Sequence, residues 1–137
     1  MRKMCEILPD EGSGKSGVKQ FIMEKLCRIR DIYRSIVEFE TEFEHTFGLS
    51  LNEGMLLCSL KNNGKLTSGH IAEMLGLTCS NTSKVIRSVE EKGYIERIPG
   101  DHDKRQMYFT LTDAGNECLA KVKCADIHVP ELLENVL

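Results

Sequence analysis

No stretch of this 137-residue chain approaches the roughly 18–20 consecutive apolar residues that a membrane-crossing helix needs. Its basic start, Met1-Arg2-Lys3-Met4-Cys5-Glu6, is not followed by the apolar core of a secretory signal. A cytoplasmic protein is therefore expected. There is no internal repeat, no low-complexity tract, and no nucleophile with a base at a recognisable spacing. No pair of carboxylates sits in evidently contrasting surroundings, so the expectation is a protein that is not an enzyme. What is present is ordinary for a globular domain. A hydrophobic fraction of 41% with 28% charged residues supports a core and a soluble surface, and excludes a disordered chain, a fibre or a coiled-coil rod. The length fits one domain, with or without an arm.

The six cysteines, Cys5, Cys27, Cys58, Cys79, Cys118 and Cys124, lack the paired Cys-x-x-Cys spacing of a structural zinc site. With no export signal they are expected to be free thiols, most of them filling space as small hydrophobes, with Cys58 in the core. Cys124 and His128 are four residues apart and can share a helix face, but such a pair needs further ligands from elsewhere. No metal site and no cofactor are assigned.

The net charge of −3 argues against a nucleic-acid partner until it is divided along the chain. Residues 1–60 carry −2, residues 61–110 carry +2 and residues 111–137 carry −3. A phosphate backbone responds to the local face rather than to the total.

Residues 1–17 have turn chemistry and are expected to be a flexible leader. From Val18, apolar residues at steps of three, four and seven (Ile22, Leu26, Ile29, Tyr33, Ile36, Phe43, Phe47) predict one long helix within 18–49, ended by Gly48. The run Glu38, Glu40, Glu42 and Glu44 on it is expected to be a solvated face. Ser50 with Glu53 fits a capping box for a second helix ending at Asn62-Asn63-Gly64. Lys65-Leu66 is a short extended piece. Thr67 or Ser68 can cap a third helix closed by Gly76, and Thr78 a fourth whose inner face is Val85, Ile86 and Val89. Two helices joined by a tight turn make a helix-turn-helix. Tyr94–Ile98 and Gln106–Leu111 then form a hairpin around a polar turn. Thr112-Asp113 caps a fifth helix, and Pro130 suits the first turn of a last one.

With Val85, Ile86 and Val89 turned inward, the outer face of the fourth helix carries Ser80, Asn81, Ser83, Lys84 and Arg87. Short hydrogen-bonding side chains lead and cations follow, an order that suits base edges and then phosphates. The plain alternative is a solvated face that binds nothing. The adjacent hairpin tip, Asp103-Lys104-Arg105, favours double-stranded DNA, because a hairpin beside a groove-bound helix reaches the backbone or minor groove.

These residues resemble the MarR family of winged helix-turn-helix transcription regulators, over Leu51 to about Gly115. The resemblance rests on His70-Ile71-Ala72-Glu73-Met74-Leu75-Gly76-Leu77, Val89-Glu90-Glu91-Lys92-Gly93-Tyr94-Ile95-Glu96-Arg97, Asp103-Lys104-Arg105 and Leu111-Thr112-Asp113-Ala114-Gly115, in that order. It implies a mainly α fold with a small β-hairpin wing, in which residues 50–111 bind DNA. The N-terminal helix and the C-terminal helices of residues 112–137 would form a dimerisation region. It further implies a homodimer on a pseudo-palindromic operator, usually repressing, with Asp103 orienting Arg105 into the minor groove and Arg97 at the base of the wing. A small-molecule effector or a redox signal would release the DNA. For the latter, Cys79 at the start of the fourth helix and Cys27 are the candidates. Asp101 and Asp103 partly cancel Lys104 and Arg105, so modest and strongly salt-dependent affinity is expected.

Two other functions fit parts of the sequence. A winged-helix module can bind protein instead of DNA. Gly12-Ser13-Gly14-Lys15-Ser16 resembles a phosphate loop, but Pro9 stands where its first glycine belongs and no parallel sheet follows.

Overall fold

The computed structural model describes residues 16–137, with side chains from residue 21 onward. Residues 1–15 of the expected leader, with all of the Gly12–Ser16 loop but its last residue, lie outside the described residues; Ser16 and Gly17, expected in that leader, instead open α1. The elements in chain order are α1 (Ser16–Phe47), α2 (Leu51–Asn63), β1 (Lys65–Thr67), α3 (Ser68–Leu75), α4 (Cys79–Glu91), β2 (Ile95–Pro99), β3 (Met107–Leu111), α5 (Asp113–Cys124) and α6 (Glu131–Glu134). Two compact units result. One contains α1 as far as Glu42 together with His128–Leu137; the other is Phe43–Ile127.

In the first unit α1 is amphipathic. Its apolar stripe is open: Phe21, Ile22, Leu26, Ile29, Tyr33 and Ile36 are all exposed, Ile29 at 62%.

The second unit has a core of Leu49, Leu56, Leu57, Leu60, Ile71, Ile86, Val89, Ile95, Phe109 and Leu119, all nearly inaccessible. Local chemistry sets its helix starts. Ser50 Oγ accepts from the Glu53 backbone N–H at 3.1 Å, while Glu53 Oε1 accepts from the Ser50 N–H at 3.0 Å, completing the capping box. Thr67, Thr78 and Thr112 each accept from the backbone three residues on and cap α3, α4 and α5. These oxygens satisfy N–H groups that the first helical turn leaves unpaired. Gly76 closes α3 with φ +65°, a left-handed conformation costly for a residue with a side chain.

The sheet has three antiparallel strands in the order β1-β3-β2. Leu66 of β1 lies opposite Phe109, and Arg97 of β2 flanks Phe109 from the other side. The wing is therefore more than a hairpin. Three residues are too few to display alternation, so β1 is marked in sequence only by a single apolar side chain, Leu66, which is buried.

Inward-facing residues of α4 are Thr82, Ile86 and Val89, with Val85 only half-buried. Thr82 enters the core because its hydroxyl donates to the Thr78 carbonyl at 2.7 Å, leaving its methyl to pack. Cys58, expected in the core, is exposed. On α2 the buried positions are Glu53, Gly54, Leu56, Leu57 and Leu60, so Cys58 faces outward. At the head of α5, a Cβ on Gly115 would collide with the backbone carbonyl of Tyr94. That close approach lets Thr112 donate both its N–H to the Tyr94 carbonyl (3.0 Å) and its hydroxyl to that of Gly93 (2.6 Å).

Candidate nucleic-acid interface

Between α4, the start of α3 and the wing lies an open cleft of about 840 Å³. Ser80, Ser83, Lys84 and Arg87 reach it from α4, Arg97 from β2 and Arg105 from the wing. Asn81 and Lys104 are exposed but do not line it. Thr67, Ser68 and Gln106 also line the cleft and were not singled out from sequence. Thr67 and Ser68 were visible only as helix-capping residues; their place beside α4 follows from β1 pairing with β3. Ile86, Met107 and Phe109 supply its apolar part.

Ser80 and Ser83 sit at the N-terminal end of α4, where unpaired backbone N–H groups and the helix dipole favour an approaching anion. Ser83 donates to the Cys79 carbonyl at 2.9 Å, leaving its oxygen able to accept.

Among the described residues, no acidic side chain lies within ion-pair distance of Lys84, Arg87 or Arg105. Arg97 differs. Its Nε and one terminal nitrogen both donate to Glu90 at 2.9 Å, and its guanidinium lies 5.3 Å from the centre of the Phe109 ring. Hydrogen bonding to Glu90, with the carboxylate's charge, raises its pKa further. The pair ties β2 to the end of α4, because Glu90 is the penultimate residue of that helix.

At the tip, Asp103 Oδ1 accepts from the backbone N–H of Arg105 at 2.9 Å. Among the described residues no ion pair joins Asp103 to the Arg105 guanidinium. Asp103 thus shapes the chain at Arg105 while the side chain extends free. Asp101 pairs with Lys65 at 3.0 Å, and that ammonium also lies 4.8 Å from the Tyr108 ring. Part of the acidic charge expected to weaken the wing is therefore already matched.

Cys79 is the exposed first residue of α4, and its thiol is free, as are those of Cys58, Cys118 and Cys124. Cys27 is disulfide-bonded. It is thus not the free thiol expected, because it has already found a sulfur partner. Among the described residues no group of three or more histidine, cysteine or acidic side chains could hold a metal. No helix among them is long and apolar enough to cross a membrane.

A family model described as "MarR family" matches residues 49–107, the segment that holds α2, the helix-turn-helix and most of the wing. The HTH-type transcriptional regulator YkoM of Bacillus subtilis is 31% identical over 109 residues, covering 74% of this chain and 71% of the relative. The chain belongs to the MarR family. Another HTH-type regulator of that organism, YwaE, is 28% identical over 109 residues, covering 77% of this chain. The chain spans 64% of the length of YwaE. Among solved structures, the transcriptional repressor CouR bound to a 23-mer DNA duplex superposes with a TM-score of 0.61 at 25% identity, over 68% of each chain. The superposition shows that this neighbour shares the helix-turn-helix and small antiparallel sheet described above.

Proposed function

We propose that this MarR-family chain is a sequence-specific transcription regulator that binds double-stranded DNA through the cleft face, acting as a repressor. The observation that carries the reading is the convergence of Lys84, Arg87 and Arg105, none ion-paired among the described residues, with Ser80 and Ser83 at the start of α4. What sets this face apart is its lining, which brings Lys84, Arg87, Arg97 and Arg105 together from α4, β2 and the wing and includes no carboxylate. In this reading α4 enters the major groove, where Ser80, Asn81 and Ser83 meet base edges and Lys84 and Arg87 meet phosphates. Lys104 and Arg105 reach the minor groove from the wing, and the Asp103 bond to the Arg105 backbone sets the tip from which they extend. Arg97, held by Glu90, offers its remaining N–H groups to the backbone at the wing's base.

The exposed stripe of α1 supports a homodimer, since a second copy burying Leu26, Ile29 and Tyr33 removes a large apolar surface from water. Two copies would match a pseudo-palindromic operator, with half-sites one helical turn apart. Repression follows from occupancy of a promoter, and CouR, named a repressor and held on DNA, is a parallel for it. Release by a small-molecule effector or by oxidation at Cys79, beside the groove face, completes the proposal, for a protein acting in the cytoplasm without catalysis. The test is a titration of a duplex from the gene's own upstream region at several salt concentrations. Binding whose logarithmic affinity falls linearly with the logarithm of salt, and which exceeds binding to a scrambled duplex, is the expected result. Equal affinity for both duplexes removes sequence specificity; no binding at any salt removes DNA altogether and leaves a protein-binding winged helix.

A further inference from the structure

Glu53 is one of two buried polar or charged residues in the described core, and its side chain is only 9% exposed. It is not spent on capping alone. Its Oε1 accepts from the Ser50 N–H at 3.0 Å, and its Oε2 accepts from Lys92 Nζ at 2.7 Å and from Ser88 Oγ at 3.1 Å. Lys92 Nζ also donates at 2.9 Å to the carbonyl of Gly48, the residue that ends α1. Lys92 is the C-cap of α4, and Ser88 lies one turn before it. A single carboxylate and a single ammonium therefore join the end of α1, the first turn of α2 and the last turn of α4.

We infer that Lys92, through Glu53 and the Gly48 carbonyl, is a positioning residue that sets the orientation of α4 against α2 and the end of α1. Groove recognition needs α4 held in a narrow range of angles, because its serines sit at one end and its cations one and two turns on. A clamp at the opposite end of the helix has the longest lever over where that first turn points. Apart from the exposed Glu90–Arg97 pair to β2, the remaining contacts of α4 with the core, through Thr82, Ile86 and Val89, are side chains on one stripe. Such a stripe resists separation better than it resists rocking, whereas three directional bonds at the helix end oppose rocking directly. The Ser88 and Lys92 bonds reach the same oxygen, so the two α4 residues share one anchor. This inference rests on the proposed DNA-binding reading for its affinity arm alone.

The test compares the full chain with Lys92→Met, which keeps the aliphatic stem, and Lys92→Arg, which keeps two donors. Residual dipolar couplings of α2 and α4 amides measure the angle between the helices without DNA. Lys92→Met is expected to change or broaden that angle and to weaken duplex binding about tenfold, with an unchanged salt slope; Lys92→Arg restores both. A slope lower by about one makes Lys92 a phosphate contact and overturns the inference. An unaltered helix angle in a folded Lys92→Met also overturns it, whatever the affinity. Should Lys92→Met fail to fold, Glu53→Gln, which keeps the capping acceptor, is read in the same two assays. If the parent chain binds no duplex, the function falls and the angle measurement still decides the clamp.

Discussion

At the scale of single residues, the three unpaired cations of the cleft divide by reach. Arg105 stands on a turn whose backbone is held by Asp103, so its removal leaves the fold intact. Arg105→Ala is expected to weaken duplex binding and lower the salt slope by about one, the signature of one lost phosphate-proximal charge. Arg97→Ala should lower the slope less, because Glu90 already holds two of its donors, and should cost folding stability instead. Salt-dependent titrations beside urea melts separate the two. Gly115→Ala is predicted to destabilise by about 1–3 kcal/mol, since the added carbon meets the Tyr94 backbone and not a yielding side chain. A lower urea midpoint at unchanged slope checks it. Glu53 gives a pH dependence with a definite sign. Burial pushes its carboxyl up, but the Lys92 hydrogen bond, the Ser50 N–H, the Lys92 charge and Ser88 together hold it below its ordinary 4.5. A carboxyl lowered by folding stabilises above about 4.5 and loses that contribution as pH falls through the native value. Melts from about pH 6 to pH 3 should show the advantage of the parent over Glu53→Gln shrinking in acid.

At the scale of elements, α2 to α5 were legible because each carries its own start signal. Ser50, Thr67, Thr78 and Thr112 were all readable as caps, and each makes its bond. Thr78→Ala is expected to cost about 1 kcal/mol in a chemical melt, with fraying at the first turn of α4, where Ser80 stands. What sequence could not show were matters of partnership. β1 is a strand only because β3 lies beside it. Thr82 is buried only because its hydroxyl turns back on its own helix, and Cys58 is exposed because α2 rotates its neighbours Leu56, Leu57 and Leu60 inward. Of the groove-face residues, Ser80, Ser83, Lys84 and Arg87 were legible from helical period alone. Thr67, Ser68 and Gln106 were not, since they approach α4 through the sheet. The Glu53–Lys92 contact, 39 residues apart, has no local signal at all.

At the scale of the whole molecule, α1 offers a stripe that leaves Leu26 57%, Ile29 62% and Tyr33 58% exposed. Ile29→Glu puts a charge in the middle of that stripe. Sedimentation should show a dimer for the parent and a monomer for the variant, with duplex affinity falling because one copy engages only one half-site. A variant that stays dimeric would move the self-association surface elsewhere.

The short pairing of β1 with β3 has a consequence for how such a protein can diversify. The run from Gly64 to Thr67 is stitched to Thr110, Phe109 and Tyr108, so one residue more or fewer there would swap Leu66 from inside to outside. The apex between Pro99 and Met107 carries no such constraint on its count, as its cross-links are confined to neighbours within the turn, apart from Lys65 with Asp101. Length changes accepted at the apex alone would alter how far the arm reaches along a duplex while leaving the reading helix seated, a division between fixed gauge and adjustable span.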